Sequence, residues 1–124
     1  MQKILAGLTA LGFVALLSAP AFAKTETVSG VLVDNACYGK DKANTTVAHK
    51  GMSETCAQDC AKKGAPVALV TGDGKVYLVA GDLAAEKNAK LVGHMSHTVE
   101  ITGDVSEKDG KVTIASDAVK MIKK

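Results

Sequence analysis

Three cysteines, Cys37, Cys56 and Cys60, are the residues of this 124-residue chain best equipped for chemistry. Their spacing is C-x18-C-x3-C. It contains no C-x-x-C of the thioredoxin type and no C-x-x-C-H for covalent haem. A C-x3-C pair on a helix lies one turn apart, so both sulfurs project from the same side. Cys56, Ala57, Cys60 and Ala61 then form an apolar stripe toward the domain body, with Glu54, Gln58, Asp59 and Lys62 toward water. One chemistry is a disulfide from Cys37 to Cys56 or Cys60. It closes a loop of about 20 residues and stabilises by about 3 kcal/mol on chain-entropy grounds. An odd cysteine remains, to be buried and inert, to join two chains, or to react. A second chemistry is metal binding: His49, seven residues before Cys56, completes a Cys₃His set suited to Zn²⁺ or Cu⁺. A third is thiol redox catalysis, which needs a lowered pKa and access, whereas the helical stripe implies burial.

A second group is His94-Met95-Ser96-His97, since imidazole and thioether together suit copper. If residues 95 and 97 are extended, Met95 and His97 share a face and His94 points elsewhere. Met52 near His49 is a weaker version of the same pairing. Asp34, three residues before Cys37, is placed to cap the turn after a strand, and Tyr77 reads as barrel wall. No phosphate-binding loop, zincin His pair or nucleophile elbow is present in the sequence. No carboxylate pair, and no Ser or Cys with His, has a spacing that specifies hydrolase chemistry.

The elements that must position these residues are short. A first strand fits Glu26 to Asp34, with Gly30 marking a bend or a close backbone approach. Residues 38–52 are polar and read as a loop. A helix fits Ser53 to Lys63, with Ser53 as N-cap, Glu54 in the first turn and Gly64 then Pro66 as the stop. Pro66 to Thr71 and Lys75 to Ala80 are strands flanking the Gly72-Asp73-Gly74 turn. Residues 82–92 carry helix formers and predict a short helix or turn. His97 to Val105 alternates, with Val99, Ile101 and Val105 on one face; Asp109-Gly110 makes a turn, and Val112 and Ile114 continue the alternation. Val119, Met121 and Ile122 extend or close the sheet. Five or six short strands bury one face and hide their edges most simply as a small, partly closed OB-like barrel; a two-layer α+β sheet is the alternative.

The amino terminus reads as a secretory leader over residues 1–23. Lys3 supplies the positive start, Ile4 to Leu17 the apolar run, and Ala21-Phe22-Ala23 the small-x-small cleavage site. Its removal leaves about 100 residues, enough for one small core. Both phenylalanines, Phe13 and Phe22, leave with it. The n-region lacks an Arg pair and no cysteine follows the apolar run closely, so a Sec-type route without a lipid anchor is expected. The destination is the periplasm or beyond, where thiols oxidise. No second apolar stretch approaches the roughly 20 residues that span a bilayer. The chain has no Arg, and beyond the leader its lysines outnumber its 13 acidic residues by one. A nucleic-acid partner is not expected from that balance.

The run Gly30-x-Leu32-x-Asp34-x-x-Cys37, then Cys56-x3-Cys60-x3-Gly64-x-Pro66, then Val76-Tyr77-Leu78 and Gly93 before a closing hairpin resembles a group of small exported bacterial proteins of uncharacterised function. The likeness spans most of the chain beyond the leader. More loosely, the chain is similar to periplasmic copper-chaperone barrels, whose sites use His and Met on strands, as His94, Met95 and His97 are arranged; they also use an aromatic, which this chain lacks near that cluster. The expected function is therefore an exported, non-enzymatic binding module stapled by a disulfide, for a ligand or protein partner, with copper or zinc binding as the alternative.

Overall fold

The computed structural model describes residues 24–46 and 55–123. The expected leader, together with His49, Met52, Ser53 and Glu54, lies outside the described residues. Six strands form one sheet: β1 (Lys24–Asp34), β2 (Val67–Val70), β3 (Val76–Ala80), β4 (Thr98–Lys108), β5 (Lys111–Ala115) and β6 (Val119–Lys123). Two short helices, α1 (Asn35–Lys40) and α2 (Cys56–Lys62), sit between β1 and β2.

Closure makes this sheet the OB-like barrel that the strand pattern predicts. β1 is antiparallel to both β2 and β4, β2 to β3, and β4 to β5. The parallel pairing of Leu78, Val79 and Ala80 with Thr113, Ile114 and Ala115 completes a ring of five strands. β6 lies outside the ring, antiparallel to the first half of β4. Each long strand serves two neighbours. β1 pairs with β4 over residues 24–31 and with β2 over residues 31–34. β4 passes from β6 to β5 along one edge.

Both changes of partner occur beside a glycine that the period-2 pattern turns inward. On β1 the sequence Val28, Gly30, Leu32 faces the interior; on β4 it is Val99, Ile101, Gly103. A β-carbon on Gly30 would collide with the Val70 carbonyl oxygen, and one on Gly103 with that of Ala115. The missing side chain lets backbone approach backbone where the barrel turns a corner.

The interior is filled by Val28, Leu32, Val67, Leu69, Tyr77, Val79, Val99, Ile101 and Ile114 from the strands. Ala57 and Ala61 of α2, with Leu83, Leu91 and Met95 from the β3–β4 connection, belong to the same core. A second, smaller cluster lies on the other face of β1–β2–β3, where Val33, Ala68 and Val70 pack against Tyr38 of α1. That explains why every residue of β2 is buried and its sequence is unbroken Val-Ala-Leu-Val.

The local signals for turns and stops hold. Asp109 and Gly110 have φ of 53° and 76°, the left-handed pair of a two-residue hairpin turn. After α2, Gly64 has φ of 86°; its N–H donates to the Ala61 carbonyl, and the Ala65 N–H to that of Cys60. These bonds form a Schellman stop. One stretch differs from expectation, and residues 82–92 take short helical turns, one of the two forms their composition predicts. Residues 35–40, read partly as loop, make a helical turn because Asp34 caps it. Residues 82–92 are not a regular helix. Gly81–Ala84 and Val92–His94 are 3₁₀ turns, and between them Glu86, Lys87 and Asn88 all have positive φ. Among the described residues no helix is long and apolar enough to cross a membrane.

Candidate functional site

The cysteines gather on the β1–β2 connection. Asp34, the last residue of β1, is 2% exposed, and its Oδ1 accepts the Cys37 N–H at 2.8 Å. The same carboxylate helps raise the Cys37 thiol. The Cys37 carbonyl accepts the Asp41 N–H and Asn44 Nδ2, each at 3.0 Å. Both peptide groups of Cys37 are therefore tied, and its side chain is placed beside a buried carboxylate.

Cys56 and Cys60 arrive from α2, one turn apart, with Cys56 near enough to help raise the Cys60 thiol. The helix is held inward by Ala57 and Ala61, both fully buried. Its C-terminal end is held by Asn88, whose Nδ2 donates to the Ala61 carbonyl at 3.0 Å and the Ala65 carbonyl at 2.8 Å. The predicted stripe is thus displaced: the two alanines point into the core, while Cys56 and Cys60 are half-buried on the flank that meets Cys37 and Asp34. The deviation follows from size. Alanine lets the short helix sit close on the barrel, and the sulfurs are left at its margin.

All three side chains are thiols in this structure, and Cys37 is half-buried like the other two. Burial pushes the Cys60 thiol up to about 11, helped by the Asp34 carboxylate, by Cys56 and by Cys37. The Cys37 thiol is also raised, first by burial, then by its hydrogen bond to Asp34 and the charges of Asp34 and Cys56; Lys40 opposes the shift. These directions oppose thiolate nucleophilicity. Among the described residues no three His, Cys, Asp or Glu side chains stand ready-made around a metal.

The His94–His97 group resolves differently. Ser96 has φ of 65°, so the chain turns there rather than running extended. Met95 is fully buried in the barrel core, whereas His97 is half-buried. The turn is stitched to β1: the Ser96 N–H donates to the Leu32 carbonyl at 2.7 Å, and the Leu32 N–H to the His97 carbonyl at 3.2 Å. His94 and His97 flank the buried methionine, each half-buried, with Nδ1 atoms and the Ser96 hydroxyl lacking a hydrogen-bond partner among the described residues. Tyr77 is core, as expected.

Asn44 and Asn88 each fix the cap from outside it. The one signal for Asn88 is its residue type, since asparagine tolerates the left-handed region. A mostly apolar groove of about 330 Å³ adjoins the same connection, lined by Gly30, Val31, Thr45, Val70, Thr71 and Thr98 among others. Comparison with known proteins finds no counterpart: no family model matches the chain, and neither does any curated protein or solved structure.

Proposed function

We propose that the chain is an exported, non-enzymatic binding module. Its working end is the thiol cap on the β1–β2 connection, and in an oxidising compartment a disulfide from Cys37 to Cys56 or Cys60 staples that cap. The observation that carries this reading is the buried Asp34 carboxylate, which caps Cys37 and acts on both the Cys37 and the Cys60 thiols. Cys56 and Cys60 each interact electrostatically with Cys37, and either is its partner. Cys56 and Cys60 are an i, i+4 pair, whose β-carbons lie farther apart on a helix than the roughly 3.8 Å a disulfide needs. The raised thiols of Cys37 and Cys60 argue for a structural or ligand role rather than a nucleophile. The groove lined by Thr45 and Thr98 offers a binding surface next to the cap; in OB-type barrels the first connection and the adjoining sheet face are the usual binding surface. Export rests on Lys3, the apolar run to Leu17 and Ala21-Phe22-Ala23.

Thiol counting on the mature protein, purified in air and unfolded in denaturant, tests the staple. One reactive thiol is expected before reduction and three after it, with peptide mapping joining Cys37 to Cys56 or Cys60. Three reactive thiols before reduction would remove the staple.

A further inference from the structure

We propose that the outer edge of β1 is a homodimer interface: two copies of the chain pair their β1 strands antiparallel about a two-fold axis at Thr27, and the two barrels share one continuous sheet. The proposal does not rest on the thiol cap, which lies at the opposite end of β1.

The open edge follows from strand lengths. β1 has 11 residues and β2 has 4, so the β2–β3 hairpin covers only residues 31–34 of β1. On its other side β1 pairs with β4 in one unbroken register from Lys24 to Val31. The direction of the backbone hydrogen bonds alternates along a strand. Leu32 bonds to Ser96 and His97 on the β4 side, whereas the Asn35 N–H donates to the Pro66 carbonyl on the β2 side. Two residues at a time, Gly30, Val28 and Glu26 therefore face β4. Thr25, Thr27 and Ser29 direct their N–H and C=O groups to the open side, where among the described residues no strand meets them. All three are exposed. Their side chains do not screen the edge. Thr25 Oγ1 donates to Asp104 Oδ1, and the Thr27 and Thr102 hydroxyls bond to each other, both at 2.8 Å and both across to β4. The hairpin leaves the track of a further strand free as well. At its tip a β-carbon on Gly72 meets nothing within 4 Å, and the groove of about 330 Å³ beside Ser29, Gly30 and Thr71 is lined by uncharged residues.

A second copy is the occupant that this edge fits. Outward N–H and C=O groups at every second residue are matched by another extended strand. A two-fold interface must also be self-complementary. Pairing about Thr27 sets Thr25 opposite Ser29, Glu26 opposite Val28 and Lys24 opposite Gly30, so no like charges lie directly across from each other. The hydrogen-bonded pairs, Thr25 with Ser29 and Thr27 with Thr27, then use only the outward-facing residues. The outer side of β6 makes the contrast. It too is open among the described residues, but Lys120 and Lys123 guard it, as charged residues commonly guard edges. From Thr25 to Ser29, β1 has no lysine, proline or bulge. Its backbone is already fixed by β4, so pairing orders little further chain.

The test is sedimentation of the whole mature protein over a concentration series, with amide exchange read residue by residue at both ends of it. Reductant is kept present, so that no disulfide joins two chains. The expected result is a monomer–dimer equilibrium. The amides of Thr25, Thr27 and Ser29 exchange fast in the monomer and are protected in the dimer, while those of Glu26, Val28 and Gly30 stay protected throughout. Thr27→Pro removes the central outward N–H and leaves the β1–β4 backbone ladder intact. It is expected to weaken dimerisation about 10- to 100-fold, since the pair of bonds across the axis is lost. Thr27→Val keeps that N–H and is expected to dimerise like the wild type. A chain that stays monomeric up to about 1 mM overturns the proposal. So does a dimer whose three outward amides exchange as fast as in the monomer. Protection already complete in the monomer also overturns it, because the chain then covers its own edge. Exchange is read in the unmutated chain, so a proline variant that fails to fold does not blunt the test.

Discussion

At the scale of single residues, the cap turns on Asp34 and Cys60. Asp34 joins two roles, capping α1 through the Cys37 N–H and lying against the Cys37 thiol. Replacing it by alanine leaves that N–H without its acceptor and is expected to destabilise by about 1 kcal/mol, with asparagine restoring most of the loss; urea unfolding of the two variants checks this. For Cys60 the folded chain favours the neutral thiol, raising its titration from the ordinary 9.0 to about 11. Between those values the unfolded chain binds fewer protons than the folded one, so the stability of the reduced protein falls as pH rises. Unfolding of reduced wild type and Cys60→Ser at pH 8 and pH 10.5 should show a steeper loss in wild type. Equal losses would mean that burial does not hold the thiol neutral. Asp34 was legible because N-caps are local: an acidic residue at a strand end, three before Cys37, is visible in the string. The shared face of Met95 and His97 depends on an extended backbone, and one left-handed residue, Ser96, turns the chain there.

At the scale of elements, most strands and stops were readable, and of the β3–β4 connection its short turns were but its left-handed path was not. Alternation in β4 and β5, the Asp109-Gly110 turn and the Gly64 stop depend on neighbours in sequence. Residues 86–88 depend on a partner more than twenty positions away. Their helix-forming composition yields to the buried Asn88 amide, which satisfies two carbonyls at the C-terminal end of α2. Three left-handed residues in a row are unfavourable, and two buried hydrogen bonds oppose that cost. Asn88→Ala loses both bonds and asparagine's tolerance of positive φ, and about 2–3 kcal/mol of destabilisation is expected. Asn88→Gly keeps the backbone but not the bonds and should lie between. Calorimetry on the pair separates the two contributions. Because Asn88 anchors the helix that carries Cys56 and Cys60, the alanine variant should also speed alkylation of those thiols in the folded, reduced protein.

At the scale of the whole molecule, closure is what no local pattern reveals. The number of strands and their order in the chain indicate a barrel, but the parallel seam between β3 and β5 joins residues 35 apart. Ser116 shows how the seam is finished. Its N–H donates to the Ala80 carbonyl, its own carbonyl accepts the Leu83 N–H, and its hydroxyl donates to the Thr102 carbonyl at 2.6 Å. One residue thereby ties the ends of β3 and β5 to the point where β4 changes partners. Gly103 lies next to that point, against the Ala115 carbonyl and the Ser116 side chain. Its φ is not positive, so the requirement there is for space and not for glycine's backbone freedom. A methyl group at Gly103 meets backbone on a strand that cannot retreat without opening the seam. Gly103→Ala is therefore expected to cost about 3 kcal/mol, the upper end for overpacking. Gly72→Ala, whose β-carbon meets nothing within 4 Å, should change stability by no more than about 0.5 kcal/mol. Chemical denaturation of both variants reads the difference. Similar values for the two would place the corner elsewhere and leave β4 without a reason to bend at Gly103. The cap gives an independent readout. β1 carries Asp34 and bends at the matching Gly30. Gly30→Ala should therefore loosen the carboxylate and hasten Cys37 alkylation, whereas Gly103→Ala should lower stability with a smaller effect on that rate.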